Sequence, residues 1–251
     1  MFVSGDAVAD NAERARFVAA YDDAHALVPN GDQIVLQVGK DEWPLPIPLV
    51  EDGSSWHFDT AAGQQELLAR RIGGNELSTI QACLAVVDAQ REYWRRNPEH
   101  SPLLQYARRI SSTAGKRDGL YWPTKPDEEV SPLGLRFAEA QRQGYTAARD
   151  ARGKPLPYHG YYYRLLTAQG PDAPGGAYDY LVRGHLIGGF ALVAYPAQWG
   201  ASGIMTFLVN HDGVVYQKDL GPKTAAIAEA MKRFNPDTTW QRVPMQASAG
   251  R

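Results

Sequence analysis

Residues 206–216 read TFLVNHDGVVY, and this stretch decides the fold that the sequence predicts. Apolar and β-branched residues flank the turn His211-Asp212-Gly213, where Asp-Gly tolerates the positive φ angles of tight hairpins. The stretch therefore predicts two antiparallel strands, at 203–209 and 214–218. Alternating or β-rich segments upstream predict further strands at 161–166, 178–182 and 187–195.

A long amphipathic helix precedes these strands at residues 75–97. Asn75 is a good N-cap, and one side of the helix carries an apolar stripe of Leu77, Ile80, Leu84, Val87 and Trp94. One helix followed by an antiparallel meander is typical of an α+β domain whose helix packs on one sheet face. A last helix is predicted between Gly221-Pro222 and Asn235-Pro236, with an apolar face of Ile227, Ala230, Met231 and Phe234.

We predict two domains, because a small helix-and-strand unit precedes the long helix. Residues 1–62 are expected to form a small α+β domain with a helix at 11–27 and strands at 33–38, 45–51 and 55–59. Pro44, Pro46 and Pro48 make the strand at 45–51 an edge strand, because proline cannot donate to the ladder. The order of these elements is similar to part of a cystatin-like or nuclear-transport-factor-like domain.

Residues 63–251 are expected to form the larger domain. A linking helix at 64–71 is predicted to end at Gly73-Gly74, before the long helix begins. Between that helix and the sheet, residues 98–157 form an irregular insertion with short helices at 103–110 and 132–143, the second capped by Ser131. An insertion of this length commonly covers or builds a surface, so we expect part of any functional surface here.

The composition limits the classes of function. The chain has 251 residues, of which 44% are hydrophobic and 22% charged, as in ordinary soluble globular proteins. A formal net charge of −2 supplies no basic stripe for nucleic acid. No signal peptide is visible, and the most apolar stretch, 186–197, is too short and glycine-broken to span a bilayer. The single cysteine, Cys83, excludes an internal disulfide, and its place on the helix predicts burial.

Catalytic motifs are missing from the sequence. It has no G-x-S-x-G elbow, no Walker-type phosphate loop and no H-E-x-x-H zinc motif. His57 and Asp59 have a spacing that places both on one strand face, within reach of a shared metal or proton. A strand-end histidine bonded to a turn explains the same spacing, and we favour it. We therefore predict neither a metal nor a cofactor.

Aromatic residues provide the candidate binding surface. His159 lies between Tyr158 and Gly160, just ahead of three tyrosines, and such rings can stack on a glycan or peptide. The alternative is that the tyrosines form core contacts and cross-strand pairs. The candidate residues, with the hairpin turn and the insertion included, are Tyr121, Trp122, Tyr158, His159, Tyr161, Tyr163, His211 and Asp212.

The chain resembles the bacterial family known as domain of unknown function 2950. The matching stretches are residues 56–63 (WHFDTAAG), 75–78 (NELS), 88–93 (DAQREY), 118–123 (DGLYWP), 131–134 (SPLG), 157–164 (PYHGYYYR) and 210–220 (NHDGVVYQKDL). The resemblance implies an exported protein, periplasmic or secreted, with a signal peptide and a further helix ahead of residue 1. We therefore expect the N-terminal domain to be truncated. The helix, loop and meander also resemble the soluble part of type IV pilin-like proteins.

We expect a non-enzymatic binding or assembly module of the bacterial envelope, whose partner is an envelope protein or a glycan. The alternative is a hydrolase or other enzyme that acts on an envelope polymer in a cleft lined by His159, Tyr161, His211 and Asp212. Two or more histidines close to a carboxylate in one pocket would favour the enzyme. Scattered histidines and a flat aromatic patch would favour binding.

Overall fold

A computed structural model describes residues 5–146 and 155–244, and it shows helices together with antiparallel sheets. This confirms the α+β class. In chain order the elements are α1 Ala7–Asp23, β1 His25–Asn30, β2 Gln33–Val38, β3 Trp43–Pro44, β4 Leu49–Asp52, β5 Ser55–Phe58, α2 Thr60–Arg96, β6 Arg109–Ser111, β7 Gly119–Tyr121, α3 Gly134–Arg142, β8 Tyr161–Leu166, β9 Ala168–Gln169, β10 Tyr178–Asp179, β11 Leu181–Val182, β12 His185–Leu186, β13 Ala191–Pro196, β14 Met205–Asn210, β15 Val215–Asp219, a 3-10 turn Gly221–Lys223, α4 Thr224–Ala230 and β16 Gln241–Arg242.

The large sheet has the order β16-β15-β14-β13-β8, and every pair in it is antiparallel. The predicted turn at residues 211–213 is confirmed, as is the antiparallel order of the strands that begin at 161 and end at 219. The predicted strand at 178–182 is wrong, because β10 and β11 pair with β9 and β12 outside the large sheet. Strand β13 lies between β14 and β8, and all six of its residues are buried. A central strand that is buried on both faces requires a cover on each side of the sheet.

Helix α2 covers one face, where it lies against β13, β14 and β15. Its residues Cys83 and Val87 are buried there, and Tyr163 of β8 donates a hydrogen bond to Thr79 Oγ1 at 3.3 Å. The predicted packing of the long helix on the sheet is confirmed, although the stripe is displaced. Leu77 of the predicted stripe is 68% exposed, whereas the polar residues Thr79 and Gln90 lie on the buried side of the helix.

The prediction that Gly73-Gly74 separates two helices is wrong. Helix α2 is continuous over 37 residues, is capped by the side chain of Asp59, and contains both glycines. Asn75 is not an N-cap; its Nδ2 donates to the carbonyl oxygen of Ser202. Glycine weakens a helix by about 1 kcal/mol per residue relative to alanine, which the surrounding contacts can offset.

Helix α4 covers the opposite face of the large sheet. The guanidinium of Arg164 donates to the carbonyl oxygens of Ala228 and Met231, at the C-terminal end of α4. The predicted continuation of this helix to residue 235 is wrong, because the chain leaves helical geometry at Met231. Phe234 is nevertheless fully buried, and its ring packs edge-on against Tyr216. The apolar residues after α4 therefore contribute to the core as a loop.

The small N-terminal sheet has the order β1-β2-β4-β5, with β3 also paired to β2. The first predicted helix is wrong at both ends: α1 begins at Ala7, and residues 25–30 form β1. The chain leaves helical geometry at Ala24, whose backbone is extended, and residues 25–30 then pair with β2. The predicted edge strand at 45–51 is also wrong. The proline-rich part of this segment lies between the short strands β3 and β4. Strand β4 pairs with β2 on one side and with β5 on the other, so it is not at an edge.

The insertion contains little regular structure. The predicted helix at 103–110 is absent from the described residues, and the region instead contributes β6, which pairs in parallel with β7. Helix α3 is shorter than predicted, and Ser131 does not cap it. The Ser131 hydroxyl donates to the carbonyl oxygen of Trp122. Residues 147–154 of the insertion, together with 1–4 and 245–251, lie outside the described residues.

The predicted domain boundary at residues 62 and 63 falls inside the first turns of α2. The division into two domains stays a prediction, as do the cystatin-like, nuclear-transport-factor-like and pilin-like resemblances. No helix in the described ranges is both long and apolar enough to cross a membrane.

Candidate functional site

Six of the eight candidate residues lie at three separate places, and the other two, Tyr161 and Tyr163, lie on β8. The first is the contact between β7 and α3, where the rings of Tyr121 and Phe137 stack with centroids 3.9 Å apart. Trp122 is buried there, and the guanidinium of Arg117 lies over its ring at 5.6 Å. These two aromatic residues mainly join the insertion to its short helix.

The second place is an aromatic cluster around Asp6, which we call the Asp6 cluster and define by Asp6, Tyr145, Tyr158 and His159. The buried carboxylate of Asp6 accepts hydrogen bonds from Tyr145 Oη at 3.0 Å and from the Gly160 backbone N–H at 2.8 Å. The Tyr158 ring lies 4.9 Å from Tyr145 and 4.2 Å from His159. The cluster thereby joins the N-terminal cap of α1 to the residues that lead into β8.

His159 has an unusual backbone, with a φ angle of 49°. Such angles are uncommon for residues with a side chain, and histidine is among those that tolerate them better. Burial lowers the pKa of His159, while the nearby Asp6 carboxylate acts in the opposite direction. Burial also raises the pKa of Tyr158. The tyrosine hydroxyls of this cluster therefore stay protonated at neutral pH.

Two further tyrosines of the candidate set belong to β8. Tyr161 is fully buried, and its hydroxyl donates to the carbonyl oxygen of Met205. Tyr163 is partly buried and faces α2, where burial raises its pKa well above the ordinary value. The Tyr161 hydroxyl thus bonds to β14 and the Tyr163 hydroxyl to α2. Because Tyr161 is fully buried, it offers no surface to a ligand in this conformation.

The third place is the turn between β14 and β15. Here His211 contacts Arg91 of α2 and Tyr178 of β10, while Tyr106 packs on Phe190, whose ring centroid lies 6.3 Å from that of His211. We define the His211 surface by Arg91, Tyr106, Tyr178, His211 and Asp212. His211 Nε2 lies 3.5 Å from Tyr178 Oη and 3.8 Å from Asp212 Oδ1. The guanidinium of Arg91 donates to the backbone oxygen of His211 at 3.1 Å.

The imidazole of His211 is held from behind. Its Nδ1 is buried and has no hydrogen-bond partner among the described residues. A Cβ added at Gly189, whose φ angle is 140°, would lie 2.6 Å from that nitrogen. The Tyr180 ring packs edge-on against the imidazole at 5.5 Å. Because a buried N–H without an acceptor is costly, we assign the proton of the neutral ring to Nε2, which faces Tyr178 and Asp212.

The electrostatics of the His211 surface are balanced. Asp212 accepts a hydrogen bond from Asn210 Nδ2 at 3.0 Å, and Arg91 lies 3.7 Å from Asp88. Burial raises the pKa of Tyr106 although the Arg91 charge opposes this, and burial together with Asp212 raises the pKa of Tyr178. Both phenols are therefore hydrogen-bonding groups and carry no charge at neutral pH. Tyr178 is 39% exposed, so part of its ring faces solvent.

The other histidines lie elsewhere. His57 is exposed on β5, and His185 Nδ1 lies 3.0 Å from Gln105 Oε1. Asp59 serves as the cap of α2, so its carboxylate is bonded to backbone N–H groups. In residues 5–146 and 155–244, no group of three His, Cys, Asp or Glu side chains is placed to hold a metal ion.

The structure adds Arg91, Tyr106 and Tyr178 to the residues that sequence reasoning selected. Arg91 looks like a solvated helix residue in the sequence, and Tyr106 and Tyr178 lie in segments without a clear pattern. Their approach to His211 depends on the tertiary fold. The only local signal was the pair His211-Asp212 in a hairpin turn, which turn chemistry alone also explains.

Two clefts lie apart from the His211 surface. A cleft of about 420 Å³ between α1 and the start of α2 is lined by Asp10, Glu13, Arg14, Ile47, Thr60, Gln64, Leu67 and Arg71. A smaller one of about 210 Å³ is lined by Arg96, Pro98, His100, Arg117, Trp122, Glu128 and Glu129. Neither of these two clefts includes a residue of the His211 surface, which is open to solvent at the exposed side chains of Tyr178 and Asp212.

The fold and this face define an α+β protein that presents an aromatic surface with one histidine and one carboxylate. The chain belongs to the family described as protein of unknown function (DUF2950), whose model matches residues 1–243. The family resemblance seen in the sequence is thereby confirmed over nearly the whole chain. No curated protein and no solved structure matches the chain.

Proposed function

We propose that this protein is a non-enzymatic binding module of the bacterial cell envelope, and that its ligand binds at the His211 surface. One observation carries the proposal: His211 Nε2 lies between Tyr178 Oη and Asp212 Oδ1 on an open face, while Nδ1 is buried behind it. A donor, an acceptor and an aromatic ring converge there, as they do in binding sites.

The arrangement supports binding more than acid–base catalysis. A general base needs an unprotonated nitrogen directed at the substrate, but the nitrogen of His211 that faces solvent carries the proton in our assignment. His57 is exposed on β5, His159 belongs to the Asp6 cluster, and His185 Nδ1 is paired with Gln105. The scattered histidines and the open aromatic face match the pattern that we expected of a binding module.

The location in the envelope is proposed from the family resemblance, which implies an exported protein. Expression of the native gene, followed by separation of cytoplasmic, periplasmic and envelope fractions, tests it. We expect the protein in the periplasmic or envelope fraction. Its recovery in the cytoplasmic fraction alone, with a periplasmic marker correctly fractionated, would overturn the location.

Cosedimentation with envelope material tests the binding function. The purified protein is mixed with washed envelopes from the source bacterium, and the bound fraction is measured for the wild type and for the double variant Tyr178→Ala/His211→Ala. The matched control is Tyr21→Ala/His25→Ala, which removes an exposed stacked pair formed by Tyr21 of α1 and His25 at the start of β1. Thermal unfolding confirms that all three proteins are folded.

We expect the wild type and the control to sediment with the envelopes and the His211-surface variant to remain in the supernatant. Equal sedimentation of all three proteins would overturn the assignment of the surface. Release of soluble fragments from the envelopes by the wild type, but not by the surface variant, would show an enzyme instead.

A further inference from the structure

We propose that the ligand of the His211 surface is an uncharged stretch of a polysaccharide, whose sugar ring packs on Tyr178 while its hydroxyls bond to His211 and Asp212. This inference rests on the proposed binding function and names the chemical class of the ligand.

The stacking contact comes from Tyr178. Its ring packs edge-on against Tyr180, with centroids 5.4 Å apart, and Tyr180 is itself buried and bonded to Gln169 at 2.7 Å. The exposed part of the Tyr178 ring is therefore supported from below by a fixed residue. A ring held in this way offers apolar area with little loss of side-chain freedom on binding, and the C–H face of a pyranose is a suitable partner.

The polar contacts come in complementary types. His211 Nε2–H is a donor, the Asp212 carboxylate is an acceptor, and the hydroxyls of Tyr106 and Tyr178 can do either. A sugar hydroxyl also donates and accepts at once, so neighbouring hydroxyls can satisfy the whole set. His211 and Asp212 are already fixed, by the contact of the ring with Gly189 and by the bond from Asn210. Such fixed groups lower the entropy cost of binding.

The charge of the surface favours an uncharged ligand. Arg91 and Asp212 carry opposite single charges, and the Arg91 guanidinium is directed at the backbone oxygen of His211. An acidic polymer would approach Asp212 without a cation that is free of other contacts. A basic polymer would approach the like charge of Arg91, and the Asp212 carboxylate already accepts a hydrogen bond from Asn210.

The shape of the surface favours a chain that lies across it. The ring of Tyr178 and the carboxylate of Asp212 are both exposed, so a chain can contact the two together from the solvent side. An extended peptide commonly binds by adding a strand to a free sheet edge. The turn of His211 follows β14, which is paired on both sides by β13 and β15. This place therefore offers a peptide no strand edge of β14, and β10, which carries Tyr178 and pairs only with β9, is two residues long and too short to pair with an extended peptide.

Titration with defined oligosaccharides tests the inference. The probes are cellohexaose and N-acetylchitohexaose as uncharged chains, an oligogalacturonate as an acidic chain, and an unstructured hexapeptide of glycine and serine. Binding to the wild type is measured by calorimetry and by chemical shifts of the tyrosine and histidine rings, at about 50 and 500 mM salt. The variants are Tyr178→Ala, His211→Gln and His211→Phe, with Tyr21→Ala as the control.

We expect at least one uncharged chain to bind, with little change between the two salt concentrations because no ionic contact is involved. Tyr178→Ala should weaken this binding about tenfold, which corresponds to about 1.4 kcal/mol. His211→Gln retains a nitrogen donor near Nε2 and should weaken binding less than His211→Phe. Tyr21→Ala should bind as the wild type does.

Other outcomes would overturn the inference in distinguishable ways. Binding of the acidic chain or of the peptide alone would reject an uncharged polysaccharide and leave the binding function in place. Failure of every probe, together with surface-dependent sedimentation on envelopes, would also reject this ligand class. If sedimentation too were independent of the surface, the binding function itself would fall.

Discussion

Arg164 in β8 donates a hydrogen bond to the carbonyl oxygen of Ala228 at 2.7 Å, and a second to that of Met231. The last carbonyls of a helix have no partner within the helix, so a cation placed there satisfies them and interacts well with the helix dipole. This side chain therefore joins the large sheet to α4. Neighbouring residues of β8 point to opposite faces, so Tyr163 contacts α2 and Arg164 contacts α4.

Replacing Arg164 by methionine should lower the free energy of unfolding by about 2–3 kcal/mol, since two hydrogen bonds from a charged donor are lost and the Ala228 carbonyl keeps only the backbone bond from Met231. Arg164→Lys should recover part of the loss, because a single ammonium cannot copy the planar fork of a guanidinium. Urea denaturation of the three proteins measures the difference. A midpoint unchanged by Arg164→Met would show that these contacts contribute nothing to stability.

The glycines inside α2 allow a matched test within one helix. A Cβ at Gly73 or Gly74 would meet no atom within 4 Å, whereas one at Gly63 would lie 2.5 Å from the carbonyl oxygen of Pro46. Gly73→Ala and Gly74→Ala should each raise the free energy of unfolding by about 0.5–1 kcal/mol. Gly63→Ala should lower it, because the backbone at Pro46 must move.

Thermal unfolding of the three glycine variants gives the comparison. If alanine at 73 and 74 destabilised the protein, the continuous helix would be contradicted at this point, and the break expected from the sequence would be restored. Gly63→Ala serves as the control, since it changes helix propensity in the same direction but adds a steric clash.

The pH dependence of stability should carry a contribution from His159. Burial lowers the pKa of this histidine in the folded protein. The unfolded chain therefore takes up the proton at a higher pH, near the ordinary value of about 6.5, and the fold is penalised as the pH falls from there toward the lower folded pKa. Above about pH 6.5 both states are neutral, and the contribution is constant.

We expect His159→Asn to show a smaller loss of stability between pH 7 and pH 5 than the wild type, as measured by urea denaturation at each pH. Asparagine tolerates positive φ angles, so the variant keeps the backbone conformation. His57→Asn, an exchange on an exposed strand, is the control. Parallel pH profiles for His159→Asn and the wild type would contradict the role of burial.

Cys83 should report global unfolding. The residue is fully buried, and burial raises the pKa of its thiol to about 12. The thiolate is the reactive form, so the native protein should react slowly with a thiol-specific chromophore at pH 8, and the urea-unfolded protein rapidly. Rapid labelling without denaturant would mean that α2 leaves the sheet frequently.

Local chemistry explains which parts of the fold could be predicted. The Asp-Gly turn at 212–213 and the alternating strands around it depend on neighbouring residues, so the meander was recognisable. Gly73-Gly74 and the segment after His25 were wrongly predicted because the tertiary contacts of α2 and the pairing of β1 with β2 outweigh local preference. The early end of α4 at Ala230 is not signalled locally, and the carbonyls there bond to Arg164, which is distant in sequence.

The candidate site was predictable only in part for the same reason. His211 and Asp212 share one turn, so their proximity follows from the sequence. Arg91 reaches His211 from 120 positions earlier, and Tyr178 comes from a two-residue strand. No periodic pattern links such positions. Tyr161 follows the alternation of β8, but only the tertiary structure shows that its side chain is buried.

The carboxylate of Asp6 has a practical consequence for handling this protein. It bonds to Tyr145 and Gly160 in the interior, which lie 139 and 154 positions further along the chain. Shortened versions of the protein should therefore retain Asp6, because its loss would remove the acceptor of the Tyr145 hydroxyl and of the Gly160 N–H together.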